Sequence, residues 1–188
     1  GNSGQGVFLV TNNFDAHIGG PAVTDGNTIA HNGRHGVRIN ALSERNELQN
    51  NSIYSNDLLA LDLDGDGISR GDPQDEDVGA NTVQNFPLIA TAIGHDDDLR
   101  VAGSLTTTPL TQFRIEVFVS LSADPSGFGE GRYPLGSFSV TTSAAGLAVF
   151  DRKIVLGSAQ FSEMRTGVVT ATATDPLGNT SEYSAARA

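Results

Sequence analysis

Short apolar runs recur along the first third of the chain, with every second position polar or small. Val7 and Leu9 flank Phe8, Val37 and Ile39 flank Arg38, and Leu59, Leu61 and Leu63 flank Ala60 and Asp62. In an extended strand alternate side chains face opposite sides, so the aliphatic sets predict an inward row, with Phe8, Arg38, Ala60 and Asp62 outward. Ile29 with Ile53 gives a second inward row, and Ile18 with Leu48 a third. These runs also repeat. Asn27 to Asn32 matches Asn51 to Asn56 at an offset of 24, and the stretch from Asn2 to Leu9 matches Asn32 to Ile39 at an offset of 30. A period of this length, built on strand-like runs, predicts stacked repeats that pair in parallel and share one core. The recurring Asn27 and Asn51, and Asn2, Asn32 and Asn56, are expected at turns, their amides stacked as ladders.

From residue 90 onward the pattern changes to longer alternating strands separated by turns. Strands are expected at Leu99 to Leu105, Gln112 to Ser120, Gly136 to Thr142, Leu147 to Val155 and Gly167 to Asp175, with a last one at Glu182 to Ala186. Asp124-Pro125-Ser126-Gly127, Ala145-Gly146 and Asp175-Pro176-Leu177-Gly178-Asn179 mark turns. In the strand from Gln112, Phe113, Ile115, Val117 and Val119 are expected inside, and Arg114, Glu116 and Phe118 outside. About seven strands in about 95 residues fit an immunoglobulin-like sandwich.

The repeat Gly26-Asn27-x-Ile29-x-x-Asn32-x-x-x-Gly36-Val37-x-Ile39 resembles the right-handed parallel β-helix of bacterial surface and secreted proteins. The stretches Leu61 to Gly67, Asn81 to Pro87 and Thr174 to Ser184 extend the resemblance over nearly the whole chain. It implies an all-β fold: β-helix coils over residues 1–64, an acidic connector over 65–89 and an immunoglobulin-like sandwich over 90–188. It also implies an extracellular or cell-surface bacterial location, and a chain that is the C-terminal piece of something longer. The same scaffold serves lyases, hydrolases, epimerases and adhesins, so the resemblance bears on fold more than on activity.

The chain carries 22 acidic against 11 basic residues, a net charge of -11, which repels phosphate backbones and argues against nucleic acid. It has no Cys, so disulfides, thiolate metal sites and a Cys nucleophile are excluded. No apolar run is long enough to span a membrane. The acids crowd the connector. Asp62, Asp64 and Asp66 followed by Gly67 match the first half of a calcium-loop pattern, and Asp72, Asp75, Glu76, Asp77 and Asn81 follow. Pro73 stands where such a loop places its bidentate Glu. Hard oxygen donors without Cys or His select Ca²⁺, so Asp62, Asp64, Asp66, Asp72, Asp75, Asp77 and Asn81 are its candidate ligands. A solvated acidic linker explains the same residues.

Three functions follow from this reading. The first is a non-catalytic structural or adhesive module, stabilised by calcium, that caps or anchors a longer solenoid. The second is a polysaccharide lyase or glycosidase fragment with Asp62, Asp64 and Arg38 in its groove. The third is a carbohydrate-binding sandwich, weakened by an absence of Trp. The open edge at Val7 to Leu9 is expected to meet upstream coils or a stacked copy of the chain, the latter propagating end to end.

Overall fold

The structure, a computed structural model, describes residues 1–95, 97–157 and 166–188, the side chain of His95 excepted. It is all-β, with three short 3₁₀ turns and both parallel and antiparallel sheets.

The first seven strands are three residues each: β1 (Val7–Leu9), β2 (His17–Gly19), β3 (Thr28–Ala30), β4 (Val37–Ile39), β5 (Glu47–Gln49), β6 (Ser52–Tyr54) and β7 (Leu61–Leu63). With one another they pair in parallel, as β1-β4-β7, β2-β5 and β3-β6. The register follows the two offsets of the sequence: Val7 opposes Val37 and Val37 opposes Leu61, Ile18 opposes Leu48, and Ile29 opposes Ile53. The three aliphatic rows meet in one cluster, in which Val37, Ile39, Ile53 and Leu63 have no exposed surface. Corners recur with the same spacing. Left-handed backbone is found at Asn12 and Leu42, at Asp15 and Arg45, and at His31 and Ser55. Such turns are held in place by stacking, since Leu and Arg do not favour that region alone. Gly36 fits where a side chain would not: a Cβ there would lie 2.6 Å from the Ala60 carbonyl oxygen and 2.4 Å from Ile53.

The predicted ladders are present. Asn2 Nδ2 donates to Asn32 Oδ1 (3.1 Å), Asn32 Nδ2 to Asn56 Oδ1 (2.9 Å) and Asn27 Nδ2 to Asn51 Oδ1 (3.1 Å).

Six longer strands follow: β8 (Leu88–His95), β9 (Asp98–Thr106), β10 (Gln112–Ser120), β11 (Tyr133–Thr141), β12 (Leu147–Val155) and β13 (Val168–Thr174). They form two antiparallel sheets, β12-β9-β8 and β11-β10-β13. The inner faces bury one sandwich-like core, including Leu99, Val101, Phe113, Ile115, Phe150 and Ala171. Two sequence expectations change here. β8 begins inside the stretch expected as connector, and it is an edge strand whose Leu88 and Ile93 stay exposed. Glu182 to Ala186 makes no strand: Ser184 exchanges hydrogen bonds with Ala171 of β13, and Ala185 forms an isolated bridge with Phe128. No helix among the described residues is long and apolar enough to cross a membrane.

Candidate functional site

The outward face of β10 is where the two halves meet. Alternation predicts that Arg114, Glu116 and Phe118 face away from the sandwich core, and they do, but solvent is not what they face. Phe118 is 3% exposed and packs edge-to-face on Tyr183 at 5.0 Å, inside the apolar cluster of the parallel unit. Arg114 reaches Glu47 Oε1 (3.0 Å) on β5 as well as its own neighbour Glu116 (2.8 Å).

The last parallel strands have no further strand to pair with, so their backbone groups would be orphaned where they are buried. Seven N–H groups in these strands and the corners beside them find acceptors in the connector and the sandwich. Arg45 donates to Asn179 Oδ1, Asn46 to Asn81 Oδ1, Leu48 to Thr180 Oγ1 and Asn50 to Glu116 Oε1. Ile53 donates to the Gly131 carbonyl, Ser55 to Glu130 Oε1 and Leu63 to Glu182 Oε1. Carbonyls on the same edge are covered too: those of Asn46, Leu48 and Ile53 accept from Asn81, Arg114 and Gly131. Burial pushes the Glu116 and Glu130 carboxyls up, and lifts Glu182 to about 7 despite the amides of Leu63 and Ser69 that hold it.

The candidate metal ligands are committed separately. Among the described residues no three acidic or His side chains are grouped to hold a metal ion. Asn81 is wholly buried: its Oδ1 accepts from Asn46 and its Nδ2 bridges the carbonyls of Asn46 and Thr180. It is a rung of a third asparagine stack, which sequence spacing concealed because Asn46 and Asn81 are 35 apart. Asp64 accepts from the Ala80 N–H, and Asp75 from the Asn85 N–H and the Thr107 hydroxyl. Burial raises Asp75 to about 6. Asp72 and Asp77 do come together: Asp77 is raised by desolvation and by the neighbouring Asp72 carboxylate. Asp66 stays apart from this pair and is felt by Asp62 and Glu182 as a like charge.

Asp62 and Arg38 are the clearest corrections. Both were expected to be exposed. Arg38 is half-buried, its guanidinium 5.4 Å from the Phe8 ring, with Nη2 donating to the Asp64 carbonyl. Asp62 does point away from the aliphatic core, yet it has no exposed surface. Ala60, also expected outward, is 2% exposed and joins the apolar cluster of the parallel unit. The chain after β7 and the loop after β10 fold over this face and close it. His35 lies beside Asp62, Nδ1 to Oδ2 3.3 Å, and neither Asp62 oxygen has a hydrogen bond of good geometry. Desolvation raises the Asp62 carboxyl, with the imidazole and the amides of Gly65 and Gly67 opposing, and desolvation lowers His35. The pair lines a cleft of about 450 Å³ between the parallel unit, residues 65–68 and residues 124–126. Sequence reasoning singled out Asp62 but not His35, whose offset from Asp62 matches neither repeat.

No family model matches the chain, and no curated protein matches it significantly.

Proposed function

We propose that this chain is a structural module of a secreted or surface bacterial β-helix protein, in which an immunoglobulin-like sandwich seals the last coil of a parallel β-helix. One observation carries the reading: seven N–H groups of the last coil, between Arg45 and Leu63, are each matched by an acceptor from the connector or sandwich. A repeat stack needs such a cap because its terminal unit lacks the neighbour that satisfies every other unit. Among the described residues the opposite end has no such cover: Val7, Leu9 and Ile18 are only partly buried there, and Phe8 and Phe14 are exposed. That end fits a further coil of the same repeat.

The carbohydrate-active alternative asks Asp62, Asp64 and Arg38 to share a groove. Asp64 caps the Ala80 amide and Arg38 lies over Phe8, so their present contacts favour the structural role. Among the described residues no side-chain grouping singles out calcium, and the module is proposed without it.

The test is to insert a second copy of residues 7–36 after Gly36, one 30-residue period long. If the unit is a β-helix closed by a cap, the longer chain gains an interface and unfolds at higher denaturant, in one transition. A copy that unfolds separately, or that destabilises the chain, contradicts the reading. Release of oligosaccharides from acidic polysaccharides by the unmodified chain would favour the enzyme instead.

A further inference from the structure

The cleft over Asp62 has a charge pattern that the capping role does not use. Its floor is the Asp62–His35 pair, with the Asp62 side chain 1% exposed and the imidazole 10% exposed. Since His35 Nδ1 is buried against Asp62, the exposed remainder of the ring is what the cleft presents. Its walls are apolar: Leu58, which is 44% exposed, with Ile68 and Pro125. Among the described residues its remaining charges are Asp57 and Asp124, and no Lys or Arg lines it. Arg34 and Arg38 act on His35 from outside the lining.

A buried carboxylate whose oxygens lack good hydrogen bonds is costly unless a positive partner compensates it. Here its neighbours are the amides of Gly65 and Gly67 and the His35 imidazole, whose charged form desolvation disfavours. A metal ion would need several oxygens converging at short range, and no such group of three is present among the described residues. An ammonium on an aliphatic stem needs less. Its head is satisfied by dispersed acceptors, and its methylenes lie along apolar surface as lysine stems do.

We propose that this cleft binds an alkylammonium group, of the kind a lysine side chain carries, with the stem between Leu58, Ile68 and Pro125 and the head toward the Asp62–His35 floor. The inference is independent of the capping reading: a sealed β-helix end requires no ligand here, and an unsealed one would not remove the cleft's charges.

The probe is n-butylammonium, titrated into the intact chain at pH 8 while the His35 ring and Leu58 methyl resonances are followed by NMR. The control is n-butanol, which keeps the stem and lacks the charge. Saturation with Kd of about 1–10 mM is expected for so small a ligand. Butanol should bind at least about tenfold more weakly, and Asp62→Asn should weaken butylammonium by at least about tenfold, a tenfold change being the step used to score charge recognition. Leu58→Ser alters only a half-exposed wall, so it should fold and still weaken binding. That variant keeps the test decisive if Asp62→Asn does not fold. Equal shifts with butanol, or unchanged binding in either folded variant, would overturn the proposal. So would calcium moving the His35 resonance at lower concentration and displacing butylammonium, which would make the cleft a mineral-cation site.

Discussion

Glu182 is 1% exposed, and its carboxylate accepts from the Leu63 N–H at 2.9 Å and the Ser69 N–H at 2.8 Å. Those amides favour the charged form, yet burial dominates and lifts the group from 4.5 to about 7, with Asp62 and Asp66 adding to the rise. The sign follows. Between these two values the folded chain holds a proton that the unfolded chain has released, so stability falls as pH rises through the window. That displacement corresponds to about 3 kcal/mol, of which about 2.5 kcal/mol is lost between pH 5 and pH 8. Other groups titrate in this range, and His35, depressed by burial, acts in the opposite direction. The comparison that isolates Glu182 is Glu182→Gln. The amide oxygen still accepts from Leu63, but the NH₂ cannot accept from Ser69, which costs about 1–3 kcal/mol at every pH. Urea unfolding at half-unit steps from pH 5 to pH 8 should therefore give a wild-type profile that falls about 2.5 kcal/mol further than the variant's across that range. Parallel profiles would refute the argument and mean that Glu182 is ionised in the fold at little cost.

Ile53→Ala should destabilise by about 2–5 kcal/mol in the same urea assay, because the side chain is wholly buried at the centre of the parallel unit and close-packed neighbours refill such a space only in part; a loss under about 1 kcal/mol would contradict the packing. Self-association should stop at a dimer by light scattering at high concentration, since the sealed edge leaves a copy nothing to stack on except another open end, and two like faces close upon each other; a ladder of higher species or fibres would contradict the seal.

The parallel pairing was legible because two signals agreed. The offsets of 24 and 30 set the register, and the aliphatic alternation set which face turned inward. Alternation says which way a side chain points, but not what later segments will cover it. Asp62, Glu116 and Phe118 all point away from their own cores as expected, and all are buried by another part of the chain. The period also fails as a guide where the repeats end. Asn81 continues an asparagine stack, but the connector that delivers it is longer than a repeat, so its spacing suggested a metal ligand instead. β8 was hidden for a different reason: as an edge strand with exposed Leu88 and Ile93, it has only part of the burial that writes a strand into sequence.

The acidic composition acquires a second meaning at the seal. A parallel edge offers N–H donors at a fixed spacing, and a cap that is not itself a continuing strand cannot present carbonyls at that spacing throughout. Only Gly131 does so, in its antiparallel bridge with Ile53. Elsewhere the acceptor has to come from a side chain. A carboxylate suits the position because it accepts through either oxygen and brings no donor that would need a partner of its own. Glu182 uses both oxygens, one on Leu63 and one on Ser69, while Glu116 divides its oxygens between Asn50 and Arg114. The cost is desolvation, visible as the upward displacement of Glu116, Glu130 and Glu182 together. Only Glu116 is offset by a guanidinium at hydrogen-bond distance. Part of the net charge of -11 is therefore hydrogen-bonding capacity turned toward the parallel unit, where three carboxylates from the sandwich half do the work of a missing strand.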